Sequence, residues 1–353
     1  TKQTKVKVDL RVIDWNSIDQ QVSTMIQNNQ RPDVLNLNSF SSYAKDGLLY
    51  SATEVLSPKT KDDFLEPFVR GGEYQGAMYG FPILSSARAF FYNRDLLTKA
   101  GVAAPPKTWD EFVQAAKKIQ ATGAIGYALP LGPEEAQAEW AIWMWNNGGE
   151  WKNADAWAIN SDKNVQTLSF LADLANKEKV TQVNPGKTNR TDGAFQLFKD
   201  GKVGMVMGFS PLAAQLDKEG KVSYGVAEMP TNTGKSVTLG VEDYLMAFKK
   251  KDNQDAVKKF LDLYYQPENI TRWIAAEGFL PVTKSGLRQM NDNARLRPYL
   301  DALPSAKLAP TTDPAWDKVK LDVQQTIGLA VQPGGDPRQV LGQLQKNAVA
   351  AAS

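Results

Sequence analysis

The sequence predicts an α/β protein built as two lobes, and three observations lead to this class. The chain has 353 residues, 42% of them hydrophobic, which is more than one ordinary domain needs and enough for two buried cores. Segments with strand periodicity alternate with segments of helical periodicity along the whole sequence. No internal repeat and no low-complexity linker is present, so we expect the chain to cross between the lobes inside ordered structure.

The first elements are a predicted strand, a helix and a second strand. Apolar residues from Val6 to Val12 alternate with polar ones, which is typical of a strand. A helix is predicted over 14–30, because apolar residues recur there at helical spacing, and a short buried strand over 33–37. This strand–helix–strand order predicts a parallel sheet.

The clearest local signal is a helix start after two prolines at 105 and 106. Thr108 can cap the helix, and Glu111 stands three residues later, as in a capping box. Apolar residues then repeat at helical spacing up to Ile119. Further helices are predicted over 163–177 and 254–265, and further strands over 203–207, 224–227 and 244–248.

The composition excludes several classes of chemistry. The chain has no Cys and no His, which removes thiol nucleophiles, the Ser-His-Asp triad, Cys/His zinc sites and haem ligation by His or Cys. Basic and acidic residues number 41 and 39, a formal charge of +2, and the two signs are mixed. A nucleic-acid partner is therefore not expected, and no cofactor or metal is predicted.

A series of short motifs gives the chain a family resemblance. They are Pro32-Asp33-Val34, Tyr43-Ala44-Lys45-Asp46-Gly47-Leu48-Leu49, Tyr79-Gly80-Phe81-Pro82, Tyr92-Asn93-Arg94-Asp95-Leu96-Leu97, Ala100-Gly101, Pro105-Pro106-Lys107-Thr108-Trp109-Asp110-Glu111, Asn147-Gly148-Gly149, Phe198-Lys199-Asp200-Gly201-Lys202-Val203-Gly204-Met205 and Glu277-Gly278-Phe279-Leu280-Pro281-Val282. In this order and spacing the chain resembles extracellular solute-binding proteins of family 1, the group that includes maltose-binding protein and actinobacterial sugar-binding lipoproteins. The resemblance covers nearly the whole chain.

The resemblance implies a type II periplasmic-binding-protein-like Venus-flytrap fold with discontinuous lobes. The N-terminal lobe would comprise 1–85 and 244–297, and the C-terminal lobe 86–243 and 298–353. The chain would cross between them near 85–89, 240–244 and 298–303, and hinge closure would trap the ligand in the cleft. Family members begin with a strand and helix that precede Val6, so we expect that segment to lie upstream.

The resemblance also implies a function and a location. The chain would be the substrate-binding component of an ABC importer that captures a sugar or oligosaccharide, and not an enzyme. Its partners would be the carbohydrate and the membrane permease subunits, and the protein would be a monomer. No apolar run reaches the ~18–20 residues that span a bilayer. We expect a secreted or periplasmic protein, anchored as a lipoprotein through an upstream segment.

Aromatic side chains are the first group of candidate ligand-binding residues. An aromatic face packs against the C–H face of a sugar without needing hydrogen bonds. Tryptophans crowd the segment 140–157, so each can instead belong to a lobe core. The aromatic candidates for the site are Trp140, Phe209, Trp273, Phe279 and Trp316.

Polar side chains at predicted strand ends and crossings form the second group, since they can bond sugar hydroxyls. Adjacent acids at 134 and 135 can also simply favour a helix N-terminus. The sequence Asn189-Arg190-Thr191 fits a glycosylation pattern and is interpreted as chance. The polar candidates are Asn38, Ser39, Ser85, Ser86, Arg88, Glu134, Glu135, Gln137, Ser210, Glu242, Asp243 and Tyr244.

Two alternatives stay open. A carbohydrate-active enzyme needs only a pair of carboxylates, so the lack of His does not exclude one. An acidic, aromatic site also suits polyamines or other cationic solutes through charge pairing and cation–π contact.

Overall fold

The computed structural model describes residues 3–15, 17–302 and 306–352. The chain divides into two compact units. The first comprises Thr1–Ser86, Val241–Arg297 and Pro310–Asp317, and the second comprises Ala87–Gly240, Pro298–Ala309 and Lys318–Ser353. The predicted second lobe runs unbroken from 298 to 353, whereas 310–317 packs with the first unit.

Helices and strands alternate along the described chain. The helices are α1 (Ile18–Gln27), α2 (Ser41–Lys45), α3 (Ala52–Val55), α4 (Pro58–Asp63), α5 (Glu66–Gly71), α6 (Arg94–Lys99), α7 (Trp109–Ala121), α8 (Ala136–Trp145), α9 (Asp162–Asn176), α10 (Gln196–Lys199), α11 (Ser210–Glu219), α12 (Gln254–Tyr264), α13 (Pro267–Glu277), α14 (Lys284–Met290), α15 (Arg297–Ala302), α16 (Trp316–Thr326) and α17 (Pro337–Ala352). Short 3-10 turns cover Pro185–Lys187 and Ile327–Val331, and a π-helical turn covers Arg190–Phe195.

The strands are mostly short, apart from two long ones that run from one unit into the other. They are β1 (Val34–Leu37), β2 (Glu73–Tyr74), β3 (Ala77–Met78), β4 (Phe81–Asn93), β5 (Ile125–Ala128), β6 (Lys152–Asn153), β7 (Ala156–Trp157), β8 (Val203–Phe209), β9 (Tyr224–Ala227), β10 (Thr238–Ala247) and β11 (Ala306–Lys307). The long strands are β4 and β10, each with one end in either unit.

The pairing of these strands differs from the predicted parallel sheet. In the first unit β1 pairs antiparallel with the end of β10, with Leu37 opposite Tyr244. In the second unit β8 pairs antiparallel with β4 and parallel with β5. The order of elements along a chain does not by itself decide which strands become neighbours, and here a distant strand takes the place beside β1.

The predicted strand over Val6–Val12 is wrong. These residues have no regular secondary structure, and Leu10 and Val12 are 81% and 85% exposed. An alternating pattern forms a strand only where a neighbour supplies hydrogen bonds and a sheet face covers the apolar side chains. Within the described ranges, no segment pairs with 6–12. The helix that follows is confirmed as α1, with Ile18 and Val22 buried.

The predicted capping of α7 is confirmed, with one change in partner. The Thr108 side chain accepts a hydrogen bond from Glu111 N at 3.2 Å. The Glu111 carboxylate accepts from Lys107 N at 2.8 Å, one residue earlier than a capping box has it. Phe112 and Ile119 are fully buried along this helix, as the spacing predicts.

Each unit has its own apolar core. In the first, Val22 of α1 and Leu37 of β1 pack with Phe40, Leu49 and Phe248. In the second, α8 is buried on every side, as a helix that is apolar all round must be. It packs into an aromatic core that includes Trp109, Phe112, Tyr127, Trp143 and Phe170. Glu135, one of the predicted site residues, directly precedes α8.

Candidate functional site

The second unit contains a cluster of buried charged side chains, which begins at Arg88 on β4. In the β4–β8 register, Arg88 lies opposite Phe209. The guanidinium carbon therefore lies 4.3 Å from the centre of the Phe209 ring, within the range of a cation–π contact. Arg88 Nη2 also donates to Glu135 Oε2 at 2.6 Å.

The second cation of the cluster is Arg190, at the start of the π-helical turn. It donates through Nη2 to Glu134 Oε1 at 3.0 Å and through Nη1 to Glu135 Oε2. Its guanidinium lies 5.1 Å from the centre of the Phe209 ring. Both guanidinium groups thus bond the same carboxylate oxygen and pack on the same ring. Arg88, Glu134, Glu135 and Arg190 are called the Arg–Glu cluster below.

Glu134 is held in position by the two residues on either side of Arg190. The Glu134 carboxylate accepts from Thr191 N at 2.8 Å and from Thr191 Oγ1 at 2.5 Å, and Glu134 N donates to Asn189 Oδ1 at 3.2 Å. Glu135, which precedes α8, has a φ of 54°. A residue other than glycine is uncommon in this left-handed region, and such strain concentrates at functional sites.

The Arg–Glu cluster is buried and balanced in charge. The side chains of Arg88 and Glu134 are 2% and 4% exposed, and those of Arg190 and Glu135 are 11% and 14% exposed. Two cations face two anions, so the hydrogen-bonded groups carry no net charge. Buried ion pairs contribute little to stability, because desolvation offsets their attraction. The paired charges of the cluster are therefore expected to contribute little to the stability of the fold.

Sequence reasoning placed Arg88, Glu134 and Glu135 in the site but missed Arg190. The structure brings Arg190 to Glu135 across 55 positions of sequence. The residue lay within a pattern interpreted as a chance glycosylation sequence. The sequence contained one signal that could have indicated Arg190. Two adjacent carboxylates at one predicted site require a cation, and Arg190 lies in the segment that follows the helix-breaking Pro185.

Three other predicted residues of the second unit are buried with unsatisfied polar atoms. Gln137 and Trp140 lie one turn apart on α8, and Ser210 begins α11. Among the described residues, Gln137 Oε1, Trp140 Nε1 and Ser210 Oγ have no hydrogen-bond partner. The Trp140 ring is 0% exposed and packs edge-on against Trp151 at 4.8 Å. It therefore presents no open face to a sugar in this conformation, and its ligand role stays a prediction.

In the first unit, the predicted residues Glu242 and Tyr244 of β10 form a buried pair. The Tyr244 hydroxyl donates to Glu242 Oε2. Gly71, at the end of α5, leaves room for this carboxylate, because a Cβ atom there would lie 2.2 Å from Glu242 Oε2. Burial raises the pKa of Glu242 to about 7, against the opposing effect of the Tyr244 hydrogen bond.

The segment 310–317 brings Trp316 to the first unit. Ser41 Oγ donates to Thr311 O at 2.9 Å, and Ser42 Oγ donates to Asp317 Oδ2. Both bonds tie the segment to α2. Trp316, which begins α16, is buried. The structure thus places Trp316 beside a helix that follows β1, in the same unit as Glu242.

The other predicted residues of the first unit lie within β4 and β10, just after β1, and in an aromatic pair. Ser85 joins Leu280 through reciprocal backbone hydrogen bonds of 3.1 and 2.8 Å. Trp273 and Phe279 are half-buried, with ring centres 6.2 Å apart. Ser39 lies two residues after the end of β1, and it is buried, as is Ser85. The remaining candidates of this unit are the buried Ser86 and Asp243 and the half-buried Asn38.

Neither a metal site nor a membrane span is found in the part of the chain that the structure describes. In the described ranges, no three acidic side chains come together in a way that could hold a metal ion. Of the helices in the described chain, none combines the length and apolar character that crossing a bilayer requires.

Comparison with known proteins decides the family. The sequence profile of bacterial extracellular solute-binding proteins matches residues 1–294. The chain belongs to this family. The solute-binding protein is 30% identical over 346 residues to a binding protein of Brucella abortus strain 2308, which covers 95% of this chain and 83% of the relative. It is 27% identical over 249 residues to the sn-glycerol-3-phosphate-binding periplasmic protein UgpB of Escherichia coli O1:K1, which covers 66% of this chain and 55% of that protein.

Solved structures confirm the predicted fold class. The GacH receptor of Streptomyces glaucescens, solved unliganded and with acarbose, superposes with a TM-score of 0.85 at 20% identity, covering 99% of this chain and 92% of that one. Maltose-bound MalE3 of T. maritima superposes with a TM-score of 0.82 at 22% identity, covering 95% of this chain and 89% of that one. UgpB of Mycobacterium tuberculosis, solved with glycerophosphocholine, superposes with a TM-score of 0.82 at 18% identity, covering 99% of this chain and 91% of that one. The solute-binding protein has the type II periplasmic-binding-protein fold.

Proposed function

We propose that this solute-binding protein is the substrate-binding component of an ABC importer and that its ligand is a neutral sugar or oligosaccharide. Similar folds were solved with maltose, acarbose, tagatose and maltotriose. Under this proposal the partners are the carbohydrate and the permease subunits. The protein acts outside the cell as a monomer held by a lipid anchor, and binds no nucleic acid.

The observation that carries the proposal is the charge balance of the Arg–Glu cluster. UgpB proteins are named for sn-glycerol 3-phosphate or were solved with glycerophosphocholine, so a phosphorylated ligand is the main competitor. A phosphate group favours arginines without a nearby carboxylate counter-charge, and here two glutamates already pair with both arginines. A cationic ligand such as a polyamine would likewise meet carboxylates that are already paired with arginines. A neutral ligand requires no change in the total charge.

The same side chains suit hydroxyl groups. Arginine is a planar donor and ionised glutamate an acceptor of several hydrogen bonds, so together they serve both roles of a hydroxyl. Three buried atoms without a hydrogen-bond partner among the described residues add to this set in the same unit. They are the acceptor Gln137 Oε1, the donor Trp140 Nε1 and the hydroxyl of Ser210. Phe209, half-buried in contact with both guanidinium groups, provides the apolar surface that sugar C–H groups need.

Within the Arg–Glu cluster, the geometry favours binding over hydrolysis. A glycosidase needs a carboxylic acid that can donate a proton to the leaving oxygen. Glu134 and Glu135 both accept hydrogen bonds from guanidinium groups. In these bonds each carboxylate acts as an acceptor and has no proton to donate to a leaving oxygen. Incubation with maltose, xylobiose and cellobiose should therefore release no monosaccharide at an enzyme-like rate, and product analysis checks this.

The decisive experiment is a binding screen by titration calorimetry on the full chain. Neutral sugars (maltose, maltotriose, tagatose and xylobiose) are compared with sn-glycerol 3-phosphate, glycerophosphocholine and spermidine. We expect binding of at least one neutral sugar and none of the charged ligands. Arg190→Ala should weaken that sugar by ~1–3 kcal/mol, whereas Arg338→Ala, which removes an exposed arginine of α17, should leave it unchanged. Binding of a charged ligand in place of sugars would refute the proposal.

A further inference from the structure

The two glutamates of the Arg–Glu cluster differ in how far the chain already uses their oxygens. We propose that Glu134 is a positioning residue for ligand binding: it holds Arg190 in place and does not contact the ligand, and Thr191 holds Glu134. This inference rests on the proposed function of the Arg–Glu cluster. It divides the roles of two adjacent acids and gives a role to Thr191, which lies outside the predicted set of site residues.

Both carboxylate oxygens of Glu134 are engaged by the segment that carries Arg190. Oε1 accepts from Thr191 Oγ1 at 2.5 Å and from Arg190 Nη2 at 3.0 Å, and Oε2 accepts from Thr191 N at 2.8 Å. The Glu134 side chain is 4% exposed. A carboxylate that is enclosed and already accepts hydrogen bonds at both oxygens offers little room for a ligand hydroxyl.

Glu135, by contrast, is engaged through one oxygen. Its Oε2 accepts from Arg88 Nη2 at 2.6 Å and from Arg190 Nη1. Its Oε1 has no hydrogen-bond donor among the described residues and is not one of their enclosed unsatisfied atoms. The Glu135 side chain is 14% exposed. Between the two acids, a ligand hydroxyl therefore has access to Glu135 and not to Glu134.

Arg190 is the group that Glu134 positions. Its guanidinium donates through Nη2 to Glu134 and through Nη1 to Glu135. The guanidinium is planar, so bonds to two carboxylates fix its orientation as well as its place. An arginine side chain is long and flexible, and ordering it only when the ligand arrives would lower the affinity. Glu134 orders it in advance.

Glu134 is itself held by the residues on either side of Arg190. Its backbone N donates to Asn189 Oδ1 at 3.2 Å, and its carboxylate accepts from Thr191. Thr191 lies at the start of the π-helical turn Arg190–Phe195, where backbone N–H groups have no acceptor within the helix. Glu134 supplies that acceptor. The backbone of the turn, the carboxylate and the guanidinium are therefore fixed relative to one another.

The first test needs no ligand. Nitrogen NMR of arginine-labelled protein measures how fast the two Nη groups of Arg190 exchange positions by rotation, with Arg190→Lys used to assign the signals. Glu134→Gln should speed up the exchange by about threefold or more, because a hydrogen bond to a neutral acceptor is weaker. The control Glu178→Gln changes a glutamate paired with Lys117 in the same unit and should have no effect. Exchange that Glu134→Gln does not alter would overturn the inference and leave the proposed sugar binding untouched.

The second test is a double-mutant cycle by titration calorimetry, with maltotriose as the probe. Glu134→Gln should weaken binding by about three- to tenfold and have almost no further effect in Arg190→Ala, because it acts through that arginine. Losses that multiply would show that Glu134 contacts the sugar directly and would contradict the inference. A wild type that binds no maltotriose would count against the proposed function, and the rotation of Arg190 would still decide the role of Glu134.

The third test uses conservative variants of Thr191, an exposed residue whose replacement leaves the core intact. Thr191→Val removes the hydroxyl donor and should weaken maltotriose binding by about two- to threefold, whereas Thr191→Ser keeps it and should bind like the wild type. Thr122→Val is the matched control, because it removes a hydroxyl that donates to Ile119 O in the same unit. It should leave the affinity unchanged. Equal losses in Thr191→Val and Thr191→Ser would indicate a packing effect and refute the role of the hydroxyl.

Discussion

At the scale of single residues, the solute-binding protein places charge where burial makes it expensive. Arg88 and Glu134 in the second unit and Glu242 in the first are nearly inaccessible to water. Buried polar groups must find partners, and Arg88 and Glu134 find theirs 47 and 56 positions away in sequence. The energetic cost of burying them explains why these residues, rather than exposed charges, are the first to test.

Glu242 should make the folded protein less stable as the pH rises. Its pKa is raised from 4.5 to about 7, so the folded state holds the proton more tightly than the unfolded state. The resulting stabilisation is complete below pH 4.5 and is lost as the pH rises to 7, at about 1.4 kcal/mol for each unit between the two pKa values. Glu242→Gln should flatten the decline seen by urea unfolding at pH 5 and pH 8. Glu66→Gln, at an exposed position of α5, should keep the wild-type slope, and a slope that Glu242→Gln does not alter would contradict the burial of this acid.

Gly71 should tolerate no side chain. A Cβ atom at this position would lie 2.2 Å from Glu242 Oε2 and 2.9 Å from the Tyr244 hydroxyl. We expect Gly71→Ala to lower the free energy of unfolding by ~1–3 kcal/mol. The matched control is Gly342→Ala in α17, which meets nothing within 4 Å. It should be neutral or stabilise by ~0.5–1 kcal/mol. Chemical unfolding of both variants measures the difference, and equal effects would argue against the close approach at Gly71.

At the scale of elements, local signals predicted the four helices and four of the five strands proposed from the sequence, but not which strands pair. The start of α7 is specified by consecutive residues, because the cap and the first turn lie within a few positions of each other. A strand is completed by a partner that can lie anywhere in the sequence. This is why α7, α9 and α12 lie near their predicted bounds, while the strand predicted at Val6–Val12 is absent.

The cap of α7 provides the test at this scale. Thr108→Ala removes the side-chain oxygen that accepts from Glu111 N and should cost ~1 kcal/mol of stability. Thr108→Ser keeps the oxygen and should cost much less. Thermal unfolding of the pair separates the hydrogen bond from the lost methyl group. Equal melting temperatures for Thr108→Ala and the wild type would mean that the cap contributes nothing.

At the scale of the whole molecule, the chain crosses between its two units more often than the sequence indicated. The return of 310–317 to the first unit was not predicted. It places Trp316 in the unit that holds Glu242. The predicted closure of the two lobes on the ligand is a separate matter and stays a prediction.

That prediction concerns the size of the particle in solution. If ligand contacts on both lobes favour a closed state, the bound sugar shifts the population toward it. The radius of gyration from small-angle scattering should then decrease when a neutral sugar identified by calorimetry is added at saturation. A sugar that does not bind is the control and should leave it unchanged. The same radius with and without the bound sugar would rule out closure.

The sequence by itself determined what depends on composition and on near neighbours. The absence of Cys and His excluded whole classes of chemistry, the ordered motifs identified the family, and the cap at Thr108 located a helix. It also placed Arg88, Glu134, Glu135, Glu242 and Trp316 among the candidates. Only the tertiary structure decided that Arg190 joins Glu135, that Thr191 joins Glu134, and that Val6–Val12 has no strand partner. These facts depend on contacts between segments far apart in sequence, which no local pattern records.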